Sequence, residues 1–529
     1  MQMLHSPTQA AQWLRQHVTG VLCTDSRLVK AGDAFIAWPG AATDGRAYVT
    51  SAVAQGASAC LVEAQGSEQW TPEWLETLTQ SHAQLATYAG LKADTGWIAD
   101  AYYEQPSQAL KVMAVTGTNG KTSSTWWLAQ ALNALSDNAH PSRCAVVGTL
   151  GVGEPPQLVS TGMTTPDPVL LQAQFRNFVS AGVTHCAIEA SSIGIAEQRL
   201  AGPHIQLAVF TNFTQDHLDY HGSMAAYWQT KEALFAWPGL QVAVVNVDDA
   251  QGAELALQLQ AHQKTDLWTC SSQGKSARLQ ALNLQRTAAG MAFDVQEAGQ
   301  VLHIQTGLMG DYNVDNLLGV MASLRALNIP LVKVVEVCAR LQAVPGRMEK
   351  VSGVEGIELP LTVVDYAHTP DAVVQTLATL KRVAQDLGSQ LWCVLGCGGD
   401  RDASKRPLMA AAAESLADHV VLTSDNPRSE SPQAIVQEML AGLKMPQRAH
   451  QEIDRAKAIA HVVKQASARD VILIAGKGHE DTQEIAGVKH VFDDRIHAHE
   501  ALVQRANCKP GYPMPKWCLA HSPQRKHSL

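Results

Sequence analysis

The chain has 529 residues, of which 46% are hydrophobic and 17% are charged, and its formal net charge is −9. This composition excludes a disordered protein, and the lack of an apolar run of about 18 residues excludes a membrane-spanning helix. The acidic balance argues against a general nucleic-acid-binding surface, because phosphate neutralisation needs clustered cations. At roughly 150 residues per domain, the length predicts about three domains.

The predicted elements follow an α/β pattern, in which short β-branched runs alternate with helical stretches. Residues 1–107, with strand candidates Ala34–Ala37 and Ala59–Val62, are interpreted as a separate substrate-binding domain. Residues 108–345 are expected to form a central parallel-sheet domain, whose strand candidates are Val112–Val115, Cys186–Ile188, Ala208–Phe210 and Val242–Val245. Each of these runs ends in polar residues, where ligands of such sheets bind.

A second α/β domain, Rossmann-like and spanning 346–506, is predicted after the hinge Val344–Gly346. Its strand candidates are Leu361–Val364, Leu391–Leu395, Val420–Leu422 and Val471–Ile474. The proline-rich and basic segment 507–529 lacks periodicity and is interpreted as a disordered tail. Zinc binding by Cys508, Cys518, His521 and His527 is an alternative whose spacing matches no standard site.

The N-terminus and the cysteines indicate the compartment. Residues 1–16 lack a basic start followed by an apolar stretch, so neither secretion nor a lipid anchor is predicted. The ten cysteines are scattered without a C-x-x-C pair and are interpreted as reduced core thiols. The expected location is the cytoplasm.

A phosphate-binding loop is predicted where Val112–Val115 runs into a glycine-containing turn and then an apolar helix. The loop residues are Gly117, Thr118, Asn119, Gly120, Lys121, Thr122 and Ser123. Backbone N–H groups and the helix N-terminus would hold the phosphates, Lys121 would neutralise the β and γ oxygens, and Thr122 would bind Mg²⁺. The spacing is a compact variant of the Walker pattern, since Val115 stands where the first glycine is expected.

The loop and ten further blocks, in the same order along the chain, resemble the Mur ligase family. Its members are ATP-dependent amino-acid-adding enzymes of peptidoglycan precursor synthesis, with folylpolyglutamate synthetases as relatives. The further blocks are Asp25–Arg27, Thr164–Pro166, Glu189–Ser192, Thr211–Asn212 with Asp216–His221, Lys231, Asn313–Asn316, Pro345–Arg347, Asp365–His368, Asp425–Arg428 and Gly476–Glu480.

The catalytic residues expected from the residues and the resemblance together are Lys121, Glu189, His217 and Lys231. Thr122, Glu189 and His217 are the expected magnesium ligands, joined by Lys231 if it is carbamylated as the resemblance implies. The alternative without a function for Lys231 is a lysine on a solvated helix face. The resemblance also implies that Asn316, Arg347 and Asp365 contact ATP.

The resemblance further implies a site for UDP-N-acetylmuramoyl-L-alanyl-D-glutamate, with domain 1–107 binding the UDP-sugar. Its expected residues are Thr24, Ser26, Thr164, Thr165, Ser191, Glu197 and Arg199. Hydroxyl and guanidinium groups suit phosphate and carboxylate recognition. Ile193 and Glu197 depart from the residues common in the family.

The incoming amino acid is expected to be meso-2,6-diaminopimelate, because the resemblance places a D-N-P-R loop in members that add it. The expected residues are Arg401, Asp425, Asn426, Pro427, Arg428, Gly476 and Glu480. Arg428 can bind the distal carboxylate bidentately.

The hypothesis is therefore an ATP-dependent ligase working through an acyl phosphate, with closure of the C-terminal domain bringing in the amino acid. Its cofactors are ATP and Mg²⁺, its partners are small molecules only, and a monomer is expected. A lysine-adding enzyme and a folylpolyglutamate synthetase are the enzyme alternatives. A non-catalytic P-loop protein is the alternative of a different class.

Overall fold

The computed structural model describes residues 2–40, 43–136, 142–287, 290–354 and 356–507. The chain divides into two compact units: the first holds residues up to 284 with 292–306 and 312–341, and the second holds 285–291, 307–311 and the chain from 342 onward. Cys508, Cys518, His521, His527 and the rest of the predicted tail lie outside the described residues. The expected bounds 1–107, 108–345 and 346–506 stay a prediction. No helix in the described part is long and apolar enough to cross a bilayer.

The first unit begins with a five-stranded parallel sheet in the order β1-β5-β4-β3-β2. Its strands are β1 (Gln2–Leu4), β2 (Leu22–Cys23), β3 (Ala34–Ala37), β4 (Ala59–Glu63) and β5 (Gln84–Tyr88). Its helices are α1 (Pro7–His17), α2 (Val49–Ala54), α3 (Thr71–Gln80) and α4 (Leu91–Tyr102). Apolar side chains from alternate positions of the buried strands form one core on each face.

A larger sheet of eleven strands follows, in the order β16-β15-β14-β13-β12-β11-β6-β10-β7-β8-β9. Its strands are β6 (Lys111–Thr116), β7 (Cys144–Gly148), β8 (Gly151–Glu154), β9 (Gln157–Val159), β10 (His185–Glu189), β11 (Ile205–Phe210), β12 (Val242–Asn246), β13 (Asp266–Ser271), β14 (Leu279–Thr287), β15 (Gly290–Glu297) and β16 (Gln300–Thr306). The accompanying helices are α5 (Lys121–Ala134), α6 (Pro168–Ser180), α7 (Ser192–Ala196), α8 (Leu218–His221), α9 (Met224–Glu232), α10 (Ala250–His262), α11 (Asp311–Ala326) and α12 (Leu331–Ala339).

The centre of this sheet is parallel, as expected, and antiparallel strands extend one edge. Strands β6, β7 and β10–β13 are parallel, but β7, β8 and β9 pair antiparallel along one edge. Short turns join these three edge strands, and an antiparallel pair can be joined in that way without a crossover helix. The parallel strands are buried on both faces, which explains their continuous apolar runs.

The second unit is built on a six-stranded sheet in the order β17-β18-β22-β19-β20-β21, parallel except for the β17–β18 pair. Its strands are β17 (Glu349–Lys350), β18 (Leu361–Asp365), β19 (Leu391–Cys397), β20 (His419–Ser424), β21 (His450–Gln451) and β22 (Val471–Ala475). Its helices are α13 (Pro370–Asp386), α14 (Lys405–Leu416), α15 (Pro432–Leu440), α16 (Arg455–Gln465) and α17 (Asp494–Asn507). A separate antiparallel hairpin consists of β23 (Thr482–Ile485) and β24 (Val488–Val491).

All the strands predicted from the sequence are confirmed, and most extend one or two residues beyond their apolar runs. The added residues include Glu189 at the end of β10, Asn246 at the end of β12 and Asp365 at the end of β18. Polar side chains thus stand at the carboxyl ends of parallel strands, where an open α/β sheet forms its binding crevice.

Candidate active site

The predicted strand, glycine loop and helix are confirmed as β6, residues 117–120 and α5. Gly117 and Gly120 have φ values of 145° and 85°, which disfavour residues with a side chain. A Cβ atom at Gly117 would lie 1.9 Å from Thr211 Oγ1, and one at Gly120 would lie 2.1 Å from Asn316 Oδ1. The loop therefore packs directly against Asn316, a predicted ATP contact, and against Thr211, which lies in one of the recognised blocks.

The loop is braced by hydrogen bonds from its own residues. Lys121 Nζ donates to the carbonyl oxygens of Gly117 at 2.9 Å and Thr118 at 2.8 Å. The backbone N–H of Asn119 donates to Asn212 Oδ1 at 2.9 Å. Ser123 is buried in the first turn of α5. A helix N-terminus beside a lysine is suited to hold phosphate oxygens.

Glu189 is the acidic centre beside this loop. It is 1% exposed, and its Oε2 accepts hydrogen bonds from Thr122 Oγ1 at 3.0 Å and Thr149 Oγ1 at 3.2 Å. Its Oε1 accepts from the Thr149 backbone N–H at 2.9 Å. The predicted magnesium ligands Thr122 and Glu189 are thus direct neighbours, and a hydroxyl with a carboxylate is a donor set that fits Mg²⁺. Sequence reasoning missed Thr149.

Lys231 lies under the same loop. Its side chain is 1% exposed, its Nζ donates to the Gly117 carbonyl oxygen at 2.8 Å, and it lies 4.4 Å from the centre of the Tyr227 ring. Burial, with a smaller effect of the Lys121 charge, holds the pKa of Lys231 well below its usual value. The alternative of a lysine on a solvated helix face is therefore wrong, since the side chain is buried.

His217 lies at the edge of this group. It has a left-handed backbone, with φ of 51°, its Nε2 is 3.4 Å from Asp216 Oδ2, and its ring centre is 6.1 Å from that of Tyr227. Tyr227 in turn places its hydroxyl 3.2 Å from Thr118 Oγ1. Across the described ranges, no three His, Cys, Asp or Glu side chains are grouped to hold a metal ion. The role of His217 as a ligand stays a prediction.

Four residues predicted to bind the UDP-linked substrate form one hydroxyl-rich group beside Glu189. Thr165 Oγ1 donates to the Glu189 carbonyl oxygen at 2.7 Å and lies 2.9 Å from Ser191 Oγ. Arg199 Nη1 donates to the Thr165 carbonyl oxygen at 3.1 Å. Thr164 joins through Thr149, with their hydroxyl oxygens 3.0 Å apart.

The remaining three residues of this set also belong to the first unit. Glu197 forms an ion pair of 2.7 Å with Lys92 and accepts a short hydrogen bond from the Tyr220 hydroxyl. Thr24 hydrogen-bonds to Asp167, whose pKa is raised by burial and lowered in part by Arg199. Ser26 is buried in a 3₁₀ turn. Lys92 and Asp167 carry no motif and were missed.

In the second unit, the predicted nucleotide residues Arg347 and Asp365 belong to one cluster. The Arg347 guanidinium carbon is 4.6 Å from the centre of the Tyr366 ring, and the buried Nε has no hydrogen-bond partner among the described residues. Asp365 accepts hydrogen bonds from the Met348 N–H at 2.7 Å and from Thr376 at 3.2 Å. Burial raises the pKa of Asp365, while Arg347 opposes that shift.

Two glycines bring the flanking loops of this cluster into contact. A Cβ atom at Gly346 would lie 2.0 Å from the backbone nitrogen of His479, and one at Gly478 would lie 2.7 Å from the Gly346 carbonyl oxygen. Burial lowers the pKa of His479 to about 3, with Arg347 contributing, so the imidazole is neutral. His479 and Tyr366 lie within recognised blocks but were not singled out.

The residues predicted to bind diaminopimelate gather beyond the ends of β19, β20 and β22. Asp425 follows β20, and a Cβ atom at Gly476 would lie 2.4 Å from its Oδ2. The Asn426 Nδ2 donates to Glu480 Oε2 at 2.6 Å. Pro427 packs on Gly399, where a Cβ atom would lie 2.0 Å from the Pro427 carbonyl oxygen.

Two arginines stand beside this group. Arg428 has a left-handed backbone, with φ of 53°, and its Nη1 donates to the Gly399 carbonyl oxygen at 2.6 Å. The hairpin fixes its backbone: the Arg428 N–H donates to the Glu484 carbonyl oxygen and the Ala486 N–H to that of Arg428. Arg401 is exposed, and both arginine side chains approach Gly398.

Three family models match this chain in order. They are described as "Mur ligase family, catalytic domain" over residues 17–88, "Mur ligase middle domain" over 115–324 and "Mur ligase, glutamate ligase domain" over 346–478. The chain belongs to the Mur ligase family, with its three-domain α/β architecture.

Individual relatives carry a more specific name, "UDP-N-acetylmuramoyl-L-alanyl-D-glutamate--2,6-diaminopimelate ligase". The protein of that name from Acidovorax sp. (strain JS42) is 57% identical over 96% of this chain and 99% of its own length. The one from Janthinobacterium sp. (strain Marseille) is 46% identical over 92% and 94%. A solved structure with this name matches with a TM-score of 0.63 and 36% identity, covering 92% of this chain and 95% of that chain.

Proposed function

We propose that this chain is an ATP-dependent ligase that adds meso-2,6-diaminopimelate to UDP-N-acetylmuramoyl-L-alanyl-D-glutamate in peptidoglycan precursor synthesis. The observation that carries the proposal is its 57% identity, over nearly the whole chain, to a ligase of that name. The phosphate loop beside Glu189 and the cluster around Asp425–Arg428 supply the chemistry that such a reaction needs.

The first step is phosphoryl transfer within the first unit. A γ-carboxylate oxygen of the D-glutamate attacks the γ-phosphorus of ATP, the bond to the bridging oxygen breaks, and ADP leaves with that electron pair. Two anions must approach, so Lys121 and the loop N–H groups offset their repulsion. Thr165, Ser191 and Arg199 would hold the UDP-linked substrate beside Glu189.

Thr122 and Glu189 would hold Mg²⁺, joined by Lys231 as a carbamate and by His217. The ion supplies charge stabilisation on the transferring phosphoryl group. Carbamylation is supported by the burial of Lys231 and by its lowered pKa, because the neutral amine is the form that adds CO₂. In the absence of that modification, the Lys231 ammonium or amine would not be a magnesium ligand.

The second step is amide formation. The amine of diaminopimelate attacks the acyl carbon, the tetrahedral intermediate expels phosphate, and the nitrogen loses a proton. Asp425, Asn426 and Glu480 would receive an ammonium group, and Arg428 would bind the distal carboxylate. The substrates are small molecules, and action in the cytoplasm as a monomer is part of the proposal.

The test is phosphate release with purified UDP-muramoyl-dipeptide, ATP and a panel of amino acids, with Lys121→Ala as the inactive control. We expect strong preference for meso-diaminopimelate over L-lysine. Equal turnover of the two would reject the specificity, and no turnover with any amino acid would reject the ligase.

A further inference from the structure

Lys477 is a fully buried lysine whose ammonium is saturated by protein acceptors. Its side chain is 0% exposed, and Nζ donates to Asn426 Oδ1 at 3.1 Å, Glu480 Oε2 at 3.1 Å and the Thr482 carbonyl oxygen at 2.6 Å. An ammonium group has three donors, and these three acceptors use all of them. Lys477 is therefore placed to act through its neighbours rather than on a ligand.

The first neighbour is the Asn426 amide, which Lys477 locks in one orientation. Asn426 Oδ1 accepts from Lys477 Nζ and also from the Glu484 backbone N–H at 2.9 Å, while Nδ2 donates to Glu480. A flipped amide would point its NH₂ group at two donors and its oxygen at a carboxylate. The lysine thus decides which end of the amide faces Glu480.

The second neighbour is the Glu480 carboxylate. Its Oε2 receives both Lys477 Nζ and Asn426 Nδ2, and its backbone N–H donates to the Lys477 carbonyl oxygen at 2.9 Å. Arg455 interacts electrostatically with both Asp425 and Glu480, and Tyr366 hydrogen-bonds to Glu480, so the Lys477 ammonium adds a second positive charge that offsets these carboxylates. Without it, Asp425 and Glu480 would repel each other with less compensation.

We infer that Lys477 is a positioning residue of the amino-acid site, holding the Asn426 amide and the Glu480 carboxylate in the one arrangement that receives an ammonium group of the incoming amino acid. The inference rests on the proposed function, since it assigns a role within that site. It predicts that Lys477 controls the apparent affinity for the amino acid and not the use of the other two substrates.

The experiment is steady-state kinetics of Lys477→Met, which removes the charge and retains the length of the side chain. We expect the KM for meso-diaminopimelate to rise about tenfold to a hundredfold, the scale of lost hydrogen bonds to charged groups. The KM values for ATP and the UDP-linked substrate should stay within about threefold, as should kcat at saturating diaminopimelate. The matched control is Lys489→Met. Lys489 is exposed and lies opposite Glu484 in the register of β23 and β24, and no KM should change in this variant.

A double-mutant cycle separates positioning from damage to the fold. If Lys477 acts through Asn426 and Glu480, Lys477→Met should raise the KM for diaminopimelate less in an Asn426→Ala background than in the wild type, and the remaining effect should be lost when Glu480→Gln is added. Equal rises in all three KM values, or an unchanged KM for diaminopimelate, would overturn the inference. If Lys477→Met does not fold, Lys477→Gln and Lys477→Arg take its place, and failure of all three to fold would mark a core-stability residue and overturn it too.

The activity of the wild-type enzyme distinguishes failure of the proposed function from failure of the inference about Lys477. If the wild type does not turn over diaminopimelate, the proposed function itself is rejected. If the wild type turns over diaminopimelate and the KM of Lys477→Met is unchanged, only the inference about Lys477 is rejected.

Discussion

The side-chain nitrogen of Lys231 lies 2.8 Å from the carbonyl oxygen of Gly117, the first glycine of the phosphate loop. The contact is buried, and Lys121 Nζ donates to the same carbonyl oxygen at 2.9 Å. Two lysines therefore converge on one backbone acceptor, and burial holds the pKa of Lys231 well below its usual value.

Lys231→Ala should leave the enzyme nearly inactive and partly restorable by added small carboxylates such as acetate. The reason is that the proposed missing group is an anion, the carbamate. Phosphate release with and without acetate measures the effect, and Lys333→Ala on the exposed face of α12 is the control. Full activity of Lys231→Ala would show that the residue has no part in the reaction.

Arg428→Ala should lower kcat/KM for meso-diaminopimelate. The corresponding loss of transition-state stabilisation should be about 2 to 4 kcal/mol, the scale of removing one partner of a buried charge pair. The loss should be much smaller for L-lysine, which lacks the distal carboxylate. Competition between the two amino acids measures this change in selectivity. Arg448→Ala, at an exposed 3₁₀ turn, serves as the control, and an equal loss for both amino acids would argue against carboxylate recognition.

Asp100 predicts a pH-dependent stability. Burial raises its pKa from 3.8 to about 6, and its Oδ1 has no hydrogen-bond partner within the described part of the chain. An acid with a raised folded-state pKa disfavours folding when ionised, so its penalty is absent below about pH 4 and grows through pH 6.

Asp100→Asn should therefore raise the free energy of unfolding by about 3 kcal/mol at pH 8, since two pKa units correspond to about that energy, and by little at pH 4. Urea unfolding at both pH values provides the measurement. Glu254→Gln, exposed on α10, should show no such difference. A pH-independent effect of Asp100→Asn would contradict the assignment.

Arg455 and Asp494 form an ion pair in which both side chains are 0% exposed. Arg455 also donates to the carbonyl oxygens of Ser424 and Ala475, the last residues of β20 and β22. Arg455→Met should cost about 3 to 5 kcal/mol of unfolding free energy, because it leaves a buried carboxylate unpaired.

The double variant Arg455→Met/Asp494→Leu should recover part of that loss in urea unfolding. Arg469→Met removes an exposed pair with Glu358 and should change stability by no more than about 1 kcal/mol. If Arg455→Met also lowered the free energy of unfolding by no more than about 1 kcal/mol, the buried pair would not be important for stability.

Local patterns predicted much of this fold, because a buried parallel strand needs a continuous apolar run and a phosphate loop needs glycines at fixed places. β3 was predicted over its full length, Ala34–Ala37, and the loop before α5 was identified by Gly117 and Gly120. The edge strand β9 was not, since Gln157–Val159 is too short and exposed to carry an apolar pattern.

The burial of single polar residues could not be predicted from the sequence. Lys231 lies on a helix with little amphipathic pattern, and its acceptor at Gly117 is 114 positions away. Lys477 was recognised as part of a block, but its contact to Asn426 spans 51 positions. Charge on a lysine predicts exposure by default, and only the tertiary contacts show that the ammonium is satisfied inside the protein.

The contact between Gly346 and Gly478 constrains how this protein can change over generations. Any codon change at either position that replaces glycine adds a Cβ atom, which at Gly346 would lie 2.0 Å from the His479 nitrogen. Both glycines also have positive φ values, of 66° and 53°, which disfavour a substituted residue even where space exists. Substitution of either glycine would therefore force apart the segment that carries Arg347 and the segment that carries Lys477 and Glu480.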